Sequence, residues 1–78
     1  MITINLKHGL SPSHEQWLAK NIGPRMHYLH NSIGGQGWIA KSNYVTVHGT
    51  DHSSKVKQWQ LTLEDDRFAT FFLLMFPQ

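Results

Sequence analysis

The sequence predicts an α+β domain: a mostly antiparallel sheet of four to five strands with one or two short helices packed on one face. Three observations lead there. Apolar residues alternate at a period of two in the first segment and again around Trp59. A serine–proline pair opens a helical stretch that a glycine–proline pair closes. A length of 78 residues leaves room for one core and so for a single domain.

Taken in order, Ile2, Ile4 and Leu6 alternate with Thr3, Asn5 and Lys7, which predicts a strand over about 2–7 with one buried face. Ser11 reads as an N-cap and Pro12 as the first helical residue, where a missing N–H costs nothing. The helix over 12–22 carries Trp17, Leu18 and Ile22 inward and Glu15, Gln16 and Lys20 outward, and Gly23-Pro24 stops it. Met26, Leu29 and Ile33 then fall at i, i+3 and i+7, predicting a second short helix from Pro24 that ends at Gly34-Gly35. After a flexible Gly34–Gly37 turn, Trp38–Lys41 and Tyr44–His48 are β-prone, forming one bent strand or a hairpin about Ser42-Asn43. Gly49–Lys55 reads as an exposed loop. Trp59, Leu61 and Leu63 alternate with polar neighbours and give the cleanest strand signal in the chain. At the C-terminus Phe68, Phe71, Phe72 and Met75 fit a helical stripe, while Phe71–Phe76 also fits a strand buried on both faces. The aromatic density, Pro77 as terminator and the need to cover a central strand favour a turn at 65–68 and a strand at 69–76.

Composition narrows the class of function. With 40% hydrophobic and only 15% charged residues, the chain has enough apolar surface to offset its conformational entropy and fold. The absence of cysteine excludes a disulfide framework, a thiolate nucleophile and a thiolate zinc site, and fits a reducing cytoplasm. Seven basic residues stand against five acidic ones. Lys7, Lys20, Arg25, Lys41, Lys55, Lys57 and Arg67 never form a run, unlike the footprint of a committed nucleic-acid binder. Glu64-Asp65-Asp66 is the one dense charge, too few carboxylates for a DNA mimic, and Asp65-Asp66 reads as a turn or helix start. No basic stretch followed by an apolar one opens the chain, and the longest apolar run, Phe71–Phe76, is far short of the roughly 20 residues that span a bilayer. A soluble cytoplasmic protein without membrane contact is expected.

The stretch from Gly23 to Trp38 gathers Arg25, His27, Tyr28, His30, Asn31 and Trp38, side chains that both hydrogen-bond and present flat apolar surface. They either line a recognition surface beside the glycine loop or merely satisfy helix ends and core. Gly34, Gly35 and Gly37 make no phosphate cradle, since no Lys-Ser/Thr follows them. The histidine pairs His27/His30 and His48/His52, with Asp51 between the latter, have suggestive spacing but match no metalloenzyme signature. His52, Ser53 and Asp51 are adjacent in sequence, which supplies no triad geometry. Trp38, Tyr44, Trp59 and Lys57 on a sheet face would suit single-stranded nucleic acid, although Trp59 shares its face with Leu61 and Leu63 and reads as core.

The string Asn21-Ile22-Gly23-Pro24-Arg25, followed by Tyr28-Leu29-His30-Asn31, Gly34-Gly35, Gly37-Trp38, Trp59 and Ala69-Thr70-Phe71-Phe72, resembles small uncharacterised proteins encoded by tailed bacteriophages. The likeness spans roughly residues 15–76. It brings no catalytic residue with it. It implies a short product in the cytoplasm of an infected bacterium, of a kind that binds and blocks or redirects a host protein of defence or replication. The expectation is therefore a noncatalytic binding protein without cofactor or metal, able to self-associate as a homodimer, whose contact surface is Arg25, His27, Tyr28, His30 and Asn31 with Gly34, Gly35 and Gly37. Two alternatives stand beside it: a nucleic-acid-binding accessory protein using Lys55, Lys57 and Arg25, and a histidine metal-dependent enzyme.

Overall fold

The computed structural model describes all residues but His30 and Asp51. The chain runs β1 (Ile2–Leu6), α1 (Pro12–Asn21), β2 (Arg25–Leu29), β3 (Ser32–Gly35), β4 (Trp38–His48), β5 (Ser53–Leu63) and α2 (Arg67–Met75). The five strands form one sheet in the order β1-β5-β4-β3-β2, and every neighbouring pair is antiparallel. The α+β class and the helices on one face stand as expected. Strands β2 to β5 are a meander, and β1 adds to the free side of β5, so α1 carries the chain across the sheet from one edge to the other.

Directly paired residues share a sheet face. The row Ile4, Leu61, Ala40, Ile33 therefore lies on one face, as do Leu63 and Trp38. These side chains are all buried and pack with Leu18 of α1 and with Ala69 and Phe72 of α2. The opposite face is open and polar, with Thr3 hydrogen-bonded to Thr62 and Asn5 to Gln60.

Helix α1 begins as the sequence predicts, at Ser11 and Pro12, but its cap has an unusual partner. The Ser11 hydroxyl accepts the His14 N–H, and His14 Nδ1 accepts the Ser11 N–H at 2.9 Å, so a histidine fills the place glutamate usually takes in a capping box. The same imidazole packs edge-on against Phe76, with ring centroids 4.4 Å apart, and lies 5.6 Å from Phe72. One ring thus closes a helix end and joins the aromatic cluster between the helices.

Two expected elements are corrected. Residues 24–33 do not form a second helix: Arg25–Leu29 and Ser32–Gly35 are strands of a hairpin. Of the three residues at helical spacing only Ile33 is buried, while Met26 and Leu29 are exposed, so the stripe never had a face to bury. Pairing of Ile33 with Ala40 and of Gly35 with Trp38 decides the matter, because long-range partners outweigh a weak local period. The Trp38 indole N–H donates to the Gly23 carbonyl at 2.8 Å and fastens this turn to the core. The C-terminal segment 69–76 is not a strand but part of α2. Strand β5 already has β1 on one side and β4 on the other, so an added strand would find no central place. The sheet face still needs a cover. As a helix, the segment brings Phe68, Ala69, Phe72 and Phe76, at spacings of three and four, onto that face. Trp38–His48, which the sequence leaves open between a bent strand and a hairpin, is one continuous strand, and the loop expected over Gly49–Lys55 is shorter, because Ser53, Ser54 and Lys55 pair with His48, Val47 and Thr46 as the start of β5.

Beyond Ser42 and Trp59 the β4–β5 pair continues alone. Asn43 pairs with Gln58 and the ladder runs on to His48 and Ser53, with neither β1 nor β3 alongside. Every described residue from Asn43 to Gln58 is exposed, and the molecule measures 45 × 26 × 21 Å with this two-stranded arm included.

Candidate partner-binding surface

The predicted contact residues gather at one sheet edge but divide between its two faces. Arg25, His27 and Tyr28 lie in β2, Asn31 in the following turn, Gly34 and Gly35 in β3, and Gly37 in the β3–β4 turn. His30 lies outside the described residues. A bulge between Arg25 and His27 breaks the alternation, so Arg25 and Tyr28 share the helix-side face and His27 points the other way. The Arg25 guanidinium sits 5.3 Å from the Tyr28 ring centre and 3.5 Å from the Glu15 carboxylate of α1. His27 lays its ring over Gly34, with Nε2 3.2 Å from the Ser32 hydroxyl. The Asn31 carbonyl accepts the Ser42 N–H at 2.9 Å.

The glycines are not the flexible loop expected. Gly34 and Gly35 are paired strand residues whose missing β-carbons leave space for the His27 ring and for the Trp38 indole and Pro24 carbonyl, respectively. Of these three, Gly37, at φ +85°, is the one in a backbone region that a side chain opposes. β2 is nonetheless a free edge: all five of its residues are exposed, Met26, Tyr28 and Leu29 among them.

A second surface was missed because the C-terminal segment read as a strand. Helix α2, Arg67-Phe-Ala-Thr-Phe-Phe-Leu-Leu-Met75, is apolar nearly all round, yet only one side packs against the core. Phe71, Leu74 and Met75 are 59%, 74% and 59% exposed. With Phe68 and with Trp17 and Asn21 of α1 they line a groove of about 520 Å³ between the two helices. Asn21 is the one polar lining residue, and its amide donates to the Trp17 carbonyl. A helix with this composition is normally enclosed on all sides. The signal that locates the groove is the helical stripe Phe68, Phe71, Phe72, Met75, which contains both the buried and the open side.

The ionisable groups with altered behaviour have structural partners. The Arg67 guanidinium, hydrogen-bonded across both oxygens, and the Arg67 backbone N–H hold the Asp65 carboxyl down at about 2. Asp65 thereby supplies the helix-start role expected of the acidic pair, while Asp66, at the N-cap position, pairs with the N-terminal ammonium at 2.9 Å. Burial lowers the His14 pKa. Among the described residues no three His, Asp or Glu side chains group as metal ligands. His48 and His52 flank the arm's hairpin turn, and Asp51 lies outside the described residues. No described helix is long and apolar enough to cross a membrane. No family model, curated protein or solved structure matches the chain.

Proposed function

We propose that this chain is a small noncatalytic binding protein whose principal anchor site is the α1–α2 groove, and that the occupant is an apolar or amphipathic helical segment of a partner protein. The open side of α2 carries this reading. Three large apolar side chains beside one another, rimmed by Trp17 and Phe68, match the helix-in-groove mode, in which anchors spaced three and four apart enter an apolar cleft. The edge strand β2 with Arg25 and Tyr28 serves as a secondary contact region, since an arginine held against a tyrosine ring is a pre-ordered interface pair. The phage resemblance supports reading the partner as a host-bacterial protein that this chain modulates or inhibits.

The test is capture from host lysate, followed by titration of the purified captured protein against wild type and a Phe71→Glu/Leu74→Glu variant. Both positions are exposed, so the variant folds with an unchanged circular dichroism spectrum. Binding weakens by about 30-fold or more, the scale of a lost interface anchor. Equal affinity of variant and wild type overturns the assignment. Sedimentation of the free protein covers the remaining occupant: a dimer that the variant converts to monomer makes the groove a contact between copies and removes the partner from it.

A further inference from the structure

The β4–β5 arm has two chemically different faces. Register pairs Tyr44 with Lys57, Thr46 with Lys55 and His48 with Ser53, which places them all on the side continuous with the sheet's helix-covered face. The other side carries Val45, Val47 and Val56. Where the helices end, the core face thus becomes an uncovered strip of aromatic, hydroxyl and cationic groups. Trp59 marks the boundary. It is half-buried against the core, and the Lys57 ammonium lies 5.0 Å from its ring centre. Tyr44, 65% exposed, offers a ring face to solvent one pair further out. On the valine side, Val45, Val47 and Val56 line a recess of about 310 Å³ at the arm's root, and Lys7, which also lines it, belongs to that side.

Charge is sorted in the same direction. Glu15, Asp65 and Asp66 are each paired with a cation, while no lysine forms an ion pair with a described residue. Glu64, the remaining described carboxylate, follows the far end of β5, about 30 Å along the strand from Lys55 at roughly 3.3 Å per residue. That is several screening lengths at physiological salt, so Glu64 does not offset the arm, whose span 43–58 holds Lys55 and Lys57 against Asp51, a formal +1.

We infer that this strip binds single-stranded nucleic acid, with Tyr44 stacking a base and Lys55 and Lys57 contacting the flanking phosphates. The observations fit an unpaired strand and not a duplex: a flat aromatic group has a partner only where bases are exposed, and two lysines in line on one strand of the ribbon follow a single backbone. The ligand differs from the groove's occupant and the two surfaces involve different residues, so either reading fails alone.

The experiment is fluorescence anisotropy of the whole chain with labelled oligothymidylate and oligouridylate of about 20 nucleotides, the two arms separating DNA from RNA as the source. Two neutralised phosphates predict a log–log salt slope of about −1.4, roughly a sevenfold loss between about 50 and 200 mM salt. Lys55→Glu/Lys57→Glu, at exposed positions, removes nearly all of that slope, and Tyr44→Ala weakens binding roughly 5- to 150-fold, the worth of one stacked base. The Phe71→Glu/Leu74→Glu variant binds like wild type. No binding at low salt overturns the inference. So do affinities that neither arm variant changes, or a duplex of the same length binding as tightly as the single strand.

Discussion

At the scale of single residues, His14 joins two functions whose requirements coincide. Its Nδ1 must be free of a proton to accept the Ser11 N–H, and its ring is partly withdrawn from water against Phe72 and Phe76. Both conditions favour the neutral imidazole, and burial lowers its pKa below the usual 6.5. The sign of the consequence follows from linkage. Below pH 6.5 the unfolded chain takes up a proton at this histidine more readily than the folded one, so the stabilisation present above 6.5 is lost as pH falls through the lowered folded value. Urea unfolding between neutral and mildly acidic pH reads this as a falling midpoint. His14→Ala lowers stability at neutral pH by about 1–2 kcal/mol through the lost cap and ring contacts, and it flattens the slope. An unchanged slope in that variant places the pH dependence elsewhere.

At the scale of elements, the two adjacent glycines of β3 separate clearance that is cheap to fill from clearance that is not. A β-carbon at Gly34 meets only the ring of His27, an exposed side chain free to swing away. One at Gly35 meets the Pro24 carbonyl and the buried Trp38 indole, which is held by its bond to Gly23. Gly35→Ala therefore destabilises by about 2 kcal/mol or more, and Gly34→Ala by less than about 1 kcal/mol, measured as melting temperatures of the two variants side by side. The same hairpin shows where sequence reasoning reaches its limit. Strand β1, helix α1 and the core half of β5 were legible because each has a local period ending in a sharp stop, at Ser11-Pro12, Gly23-Pro24 or the acidic triplet. Residues 25–35 and 67–75 were not, because their states depend on partners remote in sequence: Ala40 and Trp38 for the first, an occupied sheet and a bare face for the second. The gathering of Arg25, His27 and Tyr28 near Gly34 and Gly35 was visible as a cluster, but the bulge that sends His27 to the opposite face has no local signature. The α2 groove was hidden by the same error that made the helix a strand.

At the scale of the molecule, burial divides the chain into a covered sheet and an uncovered arm. All ten residues of the buried hydrophobic cluster lie outside 43–58, and each described residue within that span is exposed. The arm's own bonds are a two-stranded ladder, a unit that is marginal in water without a third strand or a helix against it. Its contribution to global stability should thus be close to nil, and its backbone should open without unfolding the rest. Native-state hydrogen exchange reads this directly: amides of 44–57 exchange orders of magnitude faster than those of Leu61 and Leu63, on the same strand. Replacing 44–57 by an Asn-Gly turn, so that Asn43 and Gln58 close the hairpin, leaves a cooperative melt within about 5 °C of wild type, since a two-residue turn of this type matches strand twist. A collapse of the melt in that deletion variant would mean that the arm, through contacts beyond its ladder, belongs to the folding unit. Retention of the melt alongside loss of oligonucleotide binding separates what the arm does from what holds the domain together.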